Sequence, residues 1–302
     1  MSKFVSCSDD KTIKIWDIDN LGNYQCINTI VDNEEIICAA FTPDGSKIIS
    51  YSYYDTKIWD FYSGNCINTI KIICGSLRSR KTITFNSIEN TIISALNGIK
   101  IFNIENGQCF NTIFDQRFIL CLSFNPIKNI IVSYGSDSFI KIRDYKTGNY
   151  LNEIKINNDT IICISFSPDG NKIACGSLNN SMIIFDSNSG ICLQTLEGHS
   201  KTVNCVVFSK DGSIIISGSD DSTIKIWNSV SGECIITLIG HNSKVNCITF
   251  NSEEDKIISC SDDSTIKIWD INTGICLQTL EDHTSSVNSV SFEPYKHGYL
   301  LK

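Results

Sequence analysis

The sequence predicts an all-β fold, a seven-bladed β-propeller whose C-terminal strand completes the first blade. Three observations predict it. Seven similar segments follow one another at nearly constant length, each reads as four short strands, and the strand missing at one chain end is present at the other.

The segments close at Trp16-Asp17, Trp59-Asp60, Phe102-Asn103, Arg143-Asp144, Phe185-Asp186, Trp227-Asn228 and Trp269-Asp270. Their spacings are 43, 43, 41, 42, 42 and 42 residues, the length of a four-stranded blade. In the sixth segment, Val203 to Phe208 is apolar and rich in β-branched residues, which favours a strand. Lys210-Asp211-Gly212 turns the chain, because Gly tolerates positive φ. Ile214 to Ser219 forms a second strand, Thr223 to Trp227 a third, and Cys234 to Leu238 a fourth, with turns at Asp220-Asp221-Ser222 and Ser231-Gly232. No helical period occurs.

The N-terminus enters at a second strand, Phe4-Val5-Ser6-Cys7, without a first. The C-terminus carries a spare first strand, Val287 to Phe292. Pairing them leaves no raw sheet edge. The predicted organisation is one domain over 1–302. Its blades span 286–292 with 3–30, then 35–71, 81–114, 118–155, 160–196, 202–239 and 244–280, with a tail at 293–302.

The Trp-Asp endings, the Gly-His starts at Gly198-His199 and Gly240-His241 and the period near 42 resemble the WD40-repeat (β-transducin-like) family over nearly the whole chain. The resemblance implies a buried hydrogen-bonded set of His, Ser, Asp and Trp in each blade. It maps completely onto His199, Ser217, Asp221, Trp227; onto His241, Ser259, Asp263, Trp269; and onto His283, Ser6, Asp10, Trp16, which joins the two chain ends. The other four blades place Asp32, Ser76, Asp115 and Asn157 at the His position, so they are expected to rely on packing alone. A His, a Ser and an Asp also make a hydrolase triad. Threefold recurrence at equivalent positions favours a structural role, since such sets satisfy buried polar groups.

Net charge is −8, which argues against nucleic acid as a partner. No apolar run is long enough for a membrane span, and the N-terminus has no signal-peptide stretch, so a cytoplasmic product is expected. Fifteen cysteines contain no CxxC pair. Cys26, Cys66, Cys109, Cys192, Cys234 and Cys276 share one repeat position, and Cys38, Cys121, Cys163, Cys205 and Cys247 another. Both groups are expected to be small buried residues in a reducing compartment, with no metal and no cofactor.

The resemblance further implies that partners bind where the fourth strand of one blade leads into the first strand of the next. The regular blades offer small polar residues there: Thr202, Asn204 and Asp220; Lys244, Asn246 and Asp262; Ser286, Asn288 and Asp9. The irregular blades offer Glu35, Ile37, Tyr53, Ser79, Lys81, Phe118, Leu120, Ser136, Thr160, Ile162 and Leu178. Three of the four arginines, Arg78, Arg80 and Arg117, lie in two loops beside them. Arg suits bidentate recognition of carboxylate or phosphate. The expected partner surface is therefore Ile37, Tyr53, Arg78, Arg80, Lys81, Arg117, Phe118, Leu120 and Ile162, taking acidic or phosphorylated peptides of other proteins. The expected function is a non-catalytic interaction scaffold. The alternatives are a substrate receptor in a larger complex such as a ubiquitin ligase and, from another class, a propeller enzyme.

Overall fold

The structure, a computed structural model, describes residues 3–19, 22–42, 44–71, 83–86, 89–95, 98–115 and 118–293. Every described element is a strand. The first blade supplies β1 (Phe4–Ser8), β2 (Thr12–Ile18) and β3 (Tyr24–Val31); the second β4 (Ile36–Phe41), β5 (Lys47–Ser52), β6 (Thr56–Asp60) and β7 (Cys66–Ile70). The third holds β8 (Ile83–Asn86), β9 (Thr91–Ala95), β10 (Ile99–Asn103) and β11 (Cys109–Ile113). The fourth holds β12 (Ile119–Asn125), β13 (Ile130–Gly135), β14 (Phe139–Asp144) and β15 (Tyr150–Lys155). The fifth holds β16 (Ile161–Phe166), β17 (Lys172–Ser177), β18 (Met182–Asp186) and β19 (Cys192–Leu196). The sixth holds β20 (Val203–Phe208), β21 (Ile214–Ser219), β22 (Thr223–Asn228) and β23 (Cys234–Ile239). The seventh holds β24 (Val245–Phe250), β25 (Lys256–Ser261), β26 (Ile266–Asp270) and β27 (Cys276–Leu280), and β28 (Val287–Phe292) follows.

These strands form seven four-stranded sheets, the blade count of a seven-bladed β-propeller. The first is ordered β28-β1-β2-β3, so the C-terminal strand completes the first blade. Phe4 pairs with Phe292 and Ser6 with Val290, antiparallel, and the Glu293 amide donates to the Lys3 carbonyl at 2.8 Å. All four irregular blades carry four strands.

Two compact units are distinguished, residues 1–73 with 249–302 and residues 74–248. In the first, Val5, Ile13, Ile15 and Ile30 of blade one share a core with Ile36, Ala39, Ile48 and Trp59 of blade two. In the second, Met182, Ile184 and Leu196 of blade five share one with Val203, Val206, Ile215 and Trp227 of blade six. Apolar surface between successive sheets thus supplies the drive, at roughly 25 cal/mol per Å² buried.

Burial within a blade explains the sequence of each strand. The second strands are covered on both faces, so β21 reads Ile-Ile-Ile-Ser-Gly-Ser, with all but its first residue buried. The fourth strands are edges: β23 buries only Leu238 fully. In all seven blades the register between the third and fourth strands shifts just before the Trp position, for instance between Ile226 and Trp227. Such a bulge re-aims the side chain that follows it.

The Asp or Asn after that position builds the next turn. Asp144 accepts the Lys146 and Thr147 amides at 3.1 and 2.7 Å, and Asp270 those of Asn272 and Thr273 at 3.1 and 2.8 Å. These amides and the Thr hydroxyls hold the Asp144 and Asp270 carboxyls below the usual range. Gly148 ends one such turn at φ +73, where a Cβ would come within 2.9 Å of Ile113 Cγ1.

Candidate interaction surface

Blade six shows the polar set at full strength. Trp227 Nε1 donates to Ser217 Oγ at 2.8 Å, Ser217 Oγ meets His199 Nε2 at 2.8 Å, and His199 Nδ1 meets Asp221 Oδ2 at 2.9 Å. Donors and acceptors are all matched when the Ser hydroxyl donates to Nε2 and Nδ1–H donates to the carboxylate. Thr223 Oγ1 and the Ser200 amide add donors to Asp221 at 2.6 and 2.9 Å. Burial opposes the Asp221 charge, but His199, Thr223 and the amides outweigh it and hold the carboxyl well below its ordinary value.

Blade one repeats this geometry across 277 residues of chain. Ser6 Oγ lies 2.8 Å from His283 Nε2, Trp16 Nε1 donates to Ser6 at 2.8 Å, and His283 Nδ1 meets Asp10 Oδ2 at 2.8 Å. Burial again opposes ionisation of Asp10, and His283, Thr12 and the Thr284 amide overcome it. In blade seven Trp269 donates to Ser259 at 2.8 Å and Thr265 to Asp263 at 2.7 Å; His241 is buried.

Blades two and four do not rely on packing alone, which corrects the expectation for them. Blade two keeps Trp59 Nε1 on Ser50 Oγ at 2.8 Å and pairs Lys57 with Asp32, the residue at the His position. Burial of Lys57 is outweighed by Asp32, and its pKa rises. Blade four replaces the set with ions. Arg143, at the Trp position and 1% exposed, donates to Asp115 Oδ2 at 2.5 Å and to Tyr150 Oη at 2.7 Å, with its guanidinium 4.2 Å from the Tyr150 ring centre. Lys141 reaches Asp137 at 2.5 Å and Asp115 at 3.2 Å. A buried charge needs such partners, and here two cations share two carboxylates.

A second correction concerns cysteine. In the first-strand group Cys121, Cys163 and Cys205 are buried, whereas Cys38 and Cys247 are partly so. In the fourth-strand group Cys66, Cys109, Cys192 and Cys234 are exposed and Cys26 and Cys276 half-exposed. These residues lie at or near the start of edge strands, where little covers them. Cys109 Sγ instead sits 3.3 Å from the Asn111 carbonyl and 3.6 Å from Thr112 Oγ1. The fourteen described cysteines are free thiols.

Of the expected partner surface, Arg78, Arg80, Lys81 and Arg117 lie outside the described residues. Phe118 is 50% exposed. Ile162 and Leu120 are half-buried, Leu120 packed on the core shared by blades four and five, and Tyr53 is half-buried in the other unit. Ile37 is 5% exposed, so it packs inside its blade and offers no contact. The small polar residues of the regular blades largely bond to each other: Asn204 Nδ2 donates to Asp220 at 2.8 Å, Asn288 Nδ2 to Asp9 at 2.5 Å, and Ser286 to Asp262. Sequence reasoning missed one feature, an open cleft of about 700 Å³ on blade five, lined by Asn157, Asn179, Ile183, Phe185, Thr195 and Glu197 among others.

Seven four-stranded sheets, with His, Ser, Asp and Trp sets enclosed in the regular blades, define a repeat propeller of the kind that presents surfaces. The family model described as "WD domain, G-beta repeat" matches residues 1–17, 148–186, 190–228, 232–270 and 274–297, just over half of the chain. The chain belongs to the WD40-repeat family. Among curated proteins it is similar to the transcriptional corepressor LEUNIG_HOMOLOG of Arabidopsis thaliana, 23% identical over 46% of this chain and 18% of that protein. It is similar also to the tRNA (guanine-N(7)-)-methyltransferase non-catalytic subunit wdr4 of Dictyostelium discoideum, 26% identical over 51% of this chain and 37% of that one. A shorter match, 40% identical over 63 residues, is to the nuclear distribution protein PAC1 of Komagataella phaffii, covering 20% of this chain and 13% of that protein. The matches span well under two thirds of each relative. Proteins of this family bind other proteins, and among the described residues no helix is long and apolar enough to cross a membrane.

Proposed function

We propose that this protein is a non-catalytic scaffold that holds partner proteins on loops at the blade ends. The observation that carries the reading is where the polar chemistry sits. Ser217 and Ser6 are 0% exposed, and each accepts a Trp N–H while facing a buried His. A nucleophile so enclosed cannot meet a substrate, so these sets stabilise blades. One relative's description as a non-catalytic subunit fits the same reading.

The partner segment in this proposal is acidic or phosphorylated and is gripped by Arg78, Arg80, Lys81 and Arg117, with Phe118, Leu120 and Ile162 as apolar contacts. Guanidinium groups match carboxylate and phosphate oxygens two at a time. A cytoplasmic location belongs to the proposal, and the free thiols support it. The test is affinity purification of the tagged chain beside an Arg78→Glu, Arg80→Glu, Arg117→Glu variant, with bound proteins identified by mass spectrometry. A defined partner lost from the variant supports the assignment. The same partner retained moves the site elsewhere, and no partner in either sample refutes the scaffold.

A further inference from the structure

Blade five differs from the other six at one register position. The third strands of six blades carry a lysine there: Lys14, Lys57, Lys100, Lys141, Lys225 and Lys267. In five of these blades a threonine stands opposite on the fourth strand, as in Lys225↔Thr237 and Lys267↔Thr279. In three of these five the lysine ammonium bonds to that threonine. Lys225 Nζ donates to Thr237 Oγ1 at 2.8 Å, Lys267 Nζ to Thr279 Oγ1 at 2.9 Å, and Lys14 Nζ to Thr29 Oγ1 at 3.4 Å. In blade five the pair is Ile183↔Thr195. The threonine is kept and the lysine is gone.

The same blade also has smaller side chains at the His and Trp positions of the polar set. Asn157 stands at the His position, Cys175 at the Ser, Asn179 at the Asp and Phe185 at the Trp. A butylammonium, an imidazole and an indole are thereby replaced by a sec-butyl, a carboxamide and a phenyl group. The result is the cleft of about 700 Å³. Ile183, Phe185, Cys192, Thr195 and Glu197 all line it. Neither the Thr195 hydroxyl nor the Glu197 carboxylate has a hydrogen-bond or ionic partner among the described residues. Asp159 lies at the rim and accepts the Thr160 amide at 2.7 Å with one oxygen. Lys155 is the cation at this rim, set against the two carboxylates, and His199 points its Nδ1 at Asp221.

The geometry points to a lysine side chain of a partner protein as the occupant of this cleft. An alkyl stem lies along Ile183 and Phe185 as the blade's own lysine stem would, and the ammonium meets Thr195 Oγ1 and the Glu197 and Asp159 carboxylates. Long cationic side chains routinely bury the stem and leave the charge at a polar rim. The inference rests on the scaffold reading and supplies a second partner contact, of opposite charge to the arginine loops.

The test uses the full chain and needs no partner, so it succeeds or fails apart from the affinity purification. Nα-acetyl-lysine N-methylamide is titrated against the isoleucine-methyl-labelled protein by NMR, beside the norleucine and Nε-acetyl-lysine analogues and spermidine. The expected result is a saturable shift of the Ile183 methyl with the lysine probe and a shift at least fivefold smaller with the two uncharged ones. Thr195→Val weakens the lysine response severalfold. Ile183→Lys, which restores the side chain of the sister blades, abolishes probe binding, followed at the neighbouring Ile156 methyl, while the thermal midpoint is kept. An unmoved Ile183 methyl overturns the proposal. So do equal shifts from the uncharged analogues, which would make the cleft a merely apolar slot, undiminished binding to Ile183→Lys, and a preference for spermidine, which would make the occupant a free polyamine.

Discussion

Blade four should be convertible to the polar set of blade six by two substitutions, each harmful alone. Ser133 and Asp137 already stand at the positions of Ser217 and Asp221. Arg143→Trp removes a guanidinium bonded to Asp115 at 2.5 Å and to Tyr150 at 2.7 Å. Asp115, with a side chain 5% exposed, then loses that partner, while Lys141 stays at 3.2 Å. Losing one member of a buried ion pair costs about 3–5 kcal/mol, and the remaining lysine places this loss near 3 kcal/mol. Asp115→His alone strands the Arg143 charge and costs about as much. Together the two substitutions bring an imidazole and an indole to Ser133 and Asp137, with three new hydrogen bonds at about 1 kcal/mol each. Lys141, which loses Asp115 and must share Asp137 with the new imidazole, can turn to Glu153, its cross-strand neighbour. The double variant should lie within about 1 kcal/mol of the parent, far from the sum of the singles, a coupling at or above the usual upper range for contacting residues of about 3 kcal/mol. Urea unfolding followed by far-ultraviolet circular dichroism of the four proteins measures it. A double variant that loses the sum of the two single effects would refute the equivalence of the two blades.

Further outcomes follow from other sites. Ser217→Ala leaves Trp227 Nε1 and His199 Nε2 without their shared partner in a buried place, so it should cost about 1–3 kcal/mol per group, read from the urea midpoint; a loss under about 0.5 kcal/mol would show that the set carries little stability. Gly148→Ala forces a Cβ to 2.9 Å from Ile113 at positive φ and should destabilise by about 2 kcal/mol in thermal melts, while an unchanged melt would mean that the turn yields freely. Asp10 and Asp221 titrate lower in the folded chain than the roughly 3.9 of an unfolded aspartate, so their contribution is complete above that pH and drains away as acid protonates them in the fold. The urea midpoint should hold from pH 7 to about 5 and fall below about 4, and Asp221→Asn should flatten part of that fall; an equally steep fall in the variant removes Asp221 from the account. Deleting residues from Ser285 onward exposes the β1 edge and removes the buried Val287 and Val290, so calorimetry should lose its single cooperative transition; a melt like that of the full chain would show that β28 is dispensable.

The blades were legible because their signals are local and repeated: the Gly-bearing turns, the β-branched runs and the matched chain ends each read out within a few residues. The ion set of blade four was not. Asp115 and Arg143 are 28 residues apart and look like erosion of the His and Trp positions when each is read alone. Only their meeting shows that one charge answers the other. The fourth-strand cysteines misled for a different reason. Their small size reads as core, but they open strands that only the last apolar residue anchors, as the burial of Leu196 beside the exposed Cys192 shows. The threonine three residues on, in Cys-Ile-Asn-Thr and Cys-Leu-Gln-Thr, was the available sign that this stretch faces solvent. The cleft on blade five escaped notice because it is a property of side-chain length at separate positions, and no single residue announces it.

The pairing of β1 with β28 also sets a clock. Ser6 and His283 are 277 residues apart, so a nascent chain leaves β1 without its neighbour until the interval between them has been made. At about 5–20 residues per second, synthesis of that interval takes roughly 15–60 s. For that time Phe4 to Ser8 presents an apolar strand with one open edge, the kind of surface that pairs with other chains. Of the seven blades the first is therefore the last to be finished, and the yield of folded protein should respond to elongation rate and to holding factors that act on β1.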